Sequence, residues 1–184
     1  MSATPYPKPL GRSDFINIFG GVYEHSPWVA EAVYLKTDQG INAASMAALM
    51  RSVVDAASYK DKLKLLRSHP NLAGRLSLAD LTELSRSEQS GAGLDRCTHE
   101  ELKQFQRLNG IYINKFGFPF IFAVKGFHRT EILDAFHIRV NNDRDEEFKT
   151  AIEQVHRIAR LRLETIADLS LIHISEPTRL HGIA

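Results

Sequence analysis

Cysteine is almost absent: Cys97 is alone in 184 residues, so no disulfide can close within the chain and a cysteine-built zinc site is excluded. An excess of either charge is also lacking. Twenty-three Lys and Arg face 22 Asp and Glu for a formal charge of +1, which gives no bulk electrostatic reason to expect nucleic acid or an anionic membrane as partner. No long apolar run exists either. The longest, Phe116 to Val124, is far too short to span a bilayer, and the leader Met1 to Leu10, with Pro5, Pro7 and Pro9, lacks the apolar stretch of a signal peptide. These absences together lead to the expectation of a cytoplasmic protein. The eight histidines contain no HExxH pair, and Gly91-Ala92-Gly93 lacks the preceding strand and the lysine of a phosphate loop. Neither a metal nor a nucleotide is expected. What the chain does have is apolar content of 43% in a length suited to one core.

The periodicity is helical almost throughout, with no internal repeat or low-complexity block. Ser13 is placed to cap a short helix carrying Phe15, Ile18 and Phe19 that ends at Gly20-Gly21, and Ser26-Pro27-Trp28 opens one running to about Leu35. Asn42 opens an alanine- and methionine-rich helix to about Ser58, and Asp61 to Ser68 is helical until Pro70 forces an exit. Ser77 begins a helix to about Gly91, while Thr98 with Glu101 forms a capping box for a helix to Phe116 that carries apolar residues on more than one side and is expected to be central. The Phe116 to Val124 segment contains Pro119 and has no strand to pair with, so it reads as buried extended chain. Thr130 to Asn141 and Asp143 to about Leu169 complete the set. The prediction is an all-α, single-domain bundle of about seven or eight helices over residues 11–169, after a flexible leader at 1–10. Residues 170–184 are expected to be a non-native or disordered tail, because Leu171 to Arg179 breaks the helical period.

Function is sought where a core-facing stripe carries a polar group, since such a group is costly there unless paired or used. On the helix from Ser77, a 100° step aligns Leu81, Leu84, Ser85, Glu88 and Ala92. On the last helix Phe148, Ile152, Val155, Ala159, Arg162 and Ile166 form a seam that Arg162 interrupts, whereas Arg157 and Arg160 fall on the polar side with His156 and Glu164. Arg162 is either a snorkelling side chain or a planar clamp for an anion or amide. His69, turned out of its helix by Pro70, is either an ordinary loop residue or a proton-transfer group aimed into a cleft.

Ser68-His69-Pro70-Asn71-Leu72-Ala73-Gly74, Leu84-Ser85-Arg86-Ser87-Glu88-Gln89-Ser90-Gly91, and Lys115-Phe116-Gly117-Phe118-Pro119-Phe120-Ile121 together resemble the OHCU decarboxylases, which act on 2-oxo-4-hydroxy-4-carboxy-5-ureidoimidazoline. The resemblance spans about residues 10–168. It implies an all-helical, cofactor-free homodimer that forms (S)-allantoin in urate breakdown, with no nucleic-acid or membrane partner. It further implies a catalytic pair, His69 and Glu88, and substrate contacts from Pro70, Ser85, Gln89, Arg162 and the backbone around Phe118 and Ile121. A non-catalytic helical ligand-binding or scaffolding protein on the same fold is the competing reading.

Overall fold

The computed structural model describes residues 10–36, 41–72, 87, 88 and 90–174, with backbone alone for 169–174. Among these the chain is all helical: α1 (Arg12–Phe19), α2 (Trp28–Tyr34), α3 (Ala43–Ala56), α4 (Tyr59–Arg67), a 3-10 turn (Leu94–Arg96), α5 (His99–Phe116), α6 (Arg129–Arg139) and α7 (Arg144–Ile174). Most of the helix expected from Ser77 to Gly91 lies outside the described residues, but Ser87, Glu88, Ser90 and Gly91 are helical.

Local chemistry explains the boundaries. The Asn42 carboxamide accepts from the Ser45 N–H at 2.8 Å, and Thr98 and Glu101 close the reciprocal capping box that the sequence predicts. One boundary moves: Ala57 turns extended and Ser58 becomes the cap of α4, its hydroxyl accepting from the Asp61 N–H at 3.1 Å. At α1 the cap is Gly11, not Ser13, and Ser26 likewise makes no side-chain cap, because Pro27 holds that position in α2. The α5 helix stops at Gly117, whose φ of +80° is a conformation glycine reaches without strain. The last helix continues to Ile174, beyond its expected end at Leu169.

The centre of the bundle is α7, which packs against α3, α4 and α5, while α2 lies on α3, α1 on α2, and α6 on α5. The sequence expectation of a central α5 is corrected here. That helix buries one stripe (Leu102, Phe105, Leu108, Tyr112, Phe116) and leaves Ile111 and Ile113 in solvent. Conversely α7 buries Ala151, Ile152, Val155, Ile158, Ala159 and Leu163, together with three ionisable side chains, Glu147, His156 and Arg162. His156 was expected on the polar face; instead its ring accepts from the Tyr23 hydroxyl at Nδ1, 2.7 Å, and meets Asp55 through Nε2 at 3.2 Å.

The segment after α5 is extended, unpaired with any strand, and buried at Phe118, Phe120, Ile121, Ala123 and Val124. Side chains from three helices meet its backbone groups in place of a ladder: Arg67 Nε donates to the Gly117 carbonyl at 2.9 Å, Arg139 Nη1 to that of Ile121 at 2.8 Å, and the Gln154 Oε1 accepts from the Ala123 N–H at 2.9 Å. This is how a strand-like composition is buried without a sheet.

Candidate active site

Five chain regions converge on one cavity. Its wall includes Glu24, from the turn between α1 and α2; His69, Pro70 and Leu72, from the exit of α4; Glu88; Phe120 to Phe122 and Val124, from the extended segment; and Ile158 and Arg162 of α7. Its free volume is about 30 Å³, room for little more than a water molecule. A larger cavity of about 280 Å³ adjoins it and reaches toward Ser87, Lys125 and Thr165. Glu88, Val124, Ile158 and Arg162 line both.

Arg162 is 3% exposed, so it is not a snorkelling residue. Its Nε and Nη2 donate to the two oxygens of Glu88 at 2.7 and 2.8 Å, and Nη2 also reaches Glu24 at 3.0 Å. Nη1 lies at the edge of hydrogen-bond range from the carbonyls of Gly21 and Val22, at 3.4 and 3.5 Å. Burial pulls the guanidinium pKa down, but the Glu88 hydrogen bond and the charges of Glu88 and Glu24 reverse that, and the net shift is upward. Planar geometry explains the residue type: a single fork serves two carboxylates at once.

His69 sits one residue past the C-cap of α4, 8% exposed, with neither ring nitrogen in a hydrogen bond. Burial lowers its pKa from 6.5 to about 4; the Glu24 charge acts against this and the Arg162 charge with it. The Leu65 carbonyl also acts to raise it, without reaching hydrogen-bond geometry. The imidazole is therefore neutral at neutral pH, in a place where an unpartnered polar ring costs stability unless something else fills its hydrogen bonds.

Of the residues singled out in the sequence, His69, Pro70, Glu88, Ile121 and Arg162 share this cavity. Glu88 bonds Arg162 here, not His69. Ser85 and Gln89 lie outside the described residues. Phe118 is not on the cavity wall: its ring packs edge-on to Tyr112 and Phe148. The Ile121 carbonyl is taken by Arg139, while Ile121 itself is on the wall. Glu24 was missed. It is 1% exposed in a turn whose next residue, His25, has a φ of +52°, and no helical period runs through such a segment to mark it. Among the described residues no group of three or more His, Cys, Asp or Glu side chains is arranged to hold a metal ion.

A sequence profile described as OHCU decarboxylase matches residues 8–164. A 2-oxo-4-hydroxy-4-carboxy-5-ureidoimidazoline decarboxylase of Haloferax volcanii is 39% identical over 155 residues, 84% of this chain and 89% of that one. The protein of the same name from Halalkalicoccus jeotgali is 41% identical over 155 residues, covering 84% and 86%. Among solved structures, that of (S)-allantoin synthase superposes with a TM-score of 0.68 at 34% identity over 86% of this chain; the chain spans about half, 51%, of that one's length. With the profile covering most of the sequence and full-length relatives above 30% identity, this chain belongs to the OHCU decarboxylase family.

Proposed function

We propose that the protein decarboxylates 2-oxo-4-hydroxy-4-carboxy-5-ureidoimidazoline to (S)-allantoin in urate degradation, without a cofactor. The observation that carries this reading is a buried, neutral, unpartnered imidazole in one cavity with two carboxylates and a guanidinium. The substrate contains its own electron sink. When the bond from C4 to the carboxylate breaks, its electron pair forms a C4=C5 bond and displaces the C=N pair onto nitrogen, which takes a proton. The C4 hydroxyl then gives up its proton as C5 accepts one, leaving the C4 carbonyl of allantoin. Orientation and two proton movements are all that the protein must add.

His69 suits the removal of the hydroxyl proton, since an imidazole held neutral by burial is ready to accept. Arg162 suits the substrate's anionic and amide oxygens. Glu88 has 27% of its side chain exposed against 1% for Glu24, so of these two carboxylates it is the one an incoming anion displaces from Arg162. Released, Glu88 is free to pair with His69, and the two cavities that share it join into a space fit for the substrate. Pro70 and Ile121 close the wall around the ring, and Ser85 and Gln89 complete the contacts the family resemblance implies.

Freshly generated substrate should lose its optical signal faster with the protein than without it, and the allantoin formed should be of one hand. His69→Asn and Glu88→Gln should each remove most of the turnover with the fold retained, and the double variant should be little worse than the worse single one. A racemic product formed at the uncatalysed rate would defeat the proposal, and loss of activity on chelation would defeat its cofactor-free form. The family resemblance also supports a cytoplasmic homodimer; no helix among the described residues is long and apolar enough to cross a membrane. Sedimentation at micromolar concentration should give twice the chain mass.

A further inference from the structure

A second buried ion pair stands behind the wall of the cavity, and nothing in the proton chemistry uses it. Arg139 and Glu147 are 8% and 0% exposed. Arg139 Nε donates to Glu147 Oε1 at 3.0 Å, the Tyr112 hydroxyl donates to the same oxygen, and Asn142 Nδ2 donates to Oε2 at 2.8 Å. The carboxylate is thus pinned from three sides, and in turn it fixes the plane of the guanidinium. The remaining arm, Nη1, reaches the Ile121 carbonyl at 2.8 Å. The guanidinium carbon also lies 4.5 Å from the centre of the Phe120 ring, which stacks on Phe136 at 3.8 Å and 11°. Phe120 and Ile121 line the same cavity as Glu24, His69 and Arg162.

Stability alone is a poor reason for this arrangement, because apolar residues of similar volume often serve a core as well as a buried ion pair does. What an apolar replacement cannot do is hold a backbone carbonyl and an aromatic face in one fixed relation. From this we infer that Arg139 is a positioning residue: held by Glu147, it sets the height and tilt of the Phe120–Ile121 wall, against which the substrate ring lies beside His69, and so governs how the ring is presented for protonation at C5. The inference rests on the proposed function and deepens it.

The test compares Arg139→Lys and Glu147→Gln with wild type, reading kcat, KM and the enantiomeric purity of the allantoin by circular dichroism. A lysine keeps the charge but cannot serve Glu147 and the Ile121 carbonyl together. Both variants should stay folded and lose about 10- to 100-fold in kcat, as ångström-scale misplacement does, with KM less affected and the product partly racemic. In Arg139→Ala, millimolar methylguanidinium should restore part of the kcat, which it should not do for His69→Asn. Lowered melting temperature with unchanged kcat, KM and enantiomeric purity would overturn the inference, whether or not Arg139→Ala folds. If the wild type itself turned nothing over, the functional reading would fall, and the wall would be judged by calorimetric binding of allantoin: equal affinity in wild type and Arg139→Lys would overturn the positioning role too.

Discussion

Burial holds His69 neutral down to about pH 4, whereas in the unfolded chain it takes up a proton near 6.5. Its folded pKa being depressed, the protein carries this group without penalty above about pH 6.5, loses stability as the pH falls from there to about 4, and loses no more below that point. The full difference is about 3 kcal/mol. His69→Asn should therefore gain in melting temperature relative to wild type as the pH is lowered from 7 to 4, and a difference that stays constant with pH would contradict the burial argument. The acid limb of kcat/KM should likewise lie well below 6.5. Arg162 offers the opposite case. Arg162→Met leaves Glu24 and Glu88 without their shared counter-charge and should cost about 3–5 kcal/mol in denaturant unfolding. Arg162→Lys should keep the fold and weaken substrate handling, while Arg160→Lys, on a side chain 58% exposed, should be silent. Arg162 was legible in the sequence because it interrupted a clean apolar seam. Glu24 was not, since a turn has no period to interrupt, and His156 was misplaced because its partners, Tyr23 and Asp55, come from distant parts of the chain.

Helix ends were readable where the cap is a side-chain contact between residues three apart, and not at Ser13 or Ser26, which do not cap. Asn42 and Thr98 behave as their types dictate. Thr98→Ala should cost about 1 kcal/mol and leave kcat unchanged, as the cap lies outside the cavity wall; thermal melts and a rate assay check both halves. Helix lengths were less readable. Ala57 is already extended where the pattern carried α3 to about Ser58, and α7 runs to Ile174 although the period fades after Leu169, since a formed helix propagates at little cost. The last residue of α7 on either cavity is Thr165, so a chain stopped at Leu169 should keep its turnover and most of its thermal stability. The extended segment was recognised as buried and unpaired from Pro119. What satisfied its backbone was illegible, because Arg67, Arg139 and Gln154 are brought to it only by the packing of α4, α6 and α7.

For the molecule as a whole, an all-α bundle followed from the absence of any second strand candidate, but the order of packing did not, since two apolar stripes of similar strength compete for the centre. That α7 occupies it has a consequence in time. Arg162 grips Gly21, Val22 and Glu24 across separations of 138 to 141 residues, and His156 and Glu153 reach back to Tyr23 and Arg51. A chain growing from its N-terminus carries Glu24 and Glu88 well before their counter-charge exists, and His69 before its cavity wall is complete. On the ribosome, then, the first 140 residues have helices but no closed pocket, and the final helix must emerge from the exit tunnel before the rest can settle around it. Nascent chains arrested before Asp143 should be cut readily by protease, whereas chains arrested far enough beyond Leu169 to free α7 from the tunnel should turn resistant in a single step.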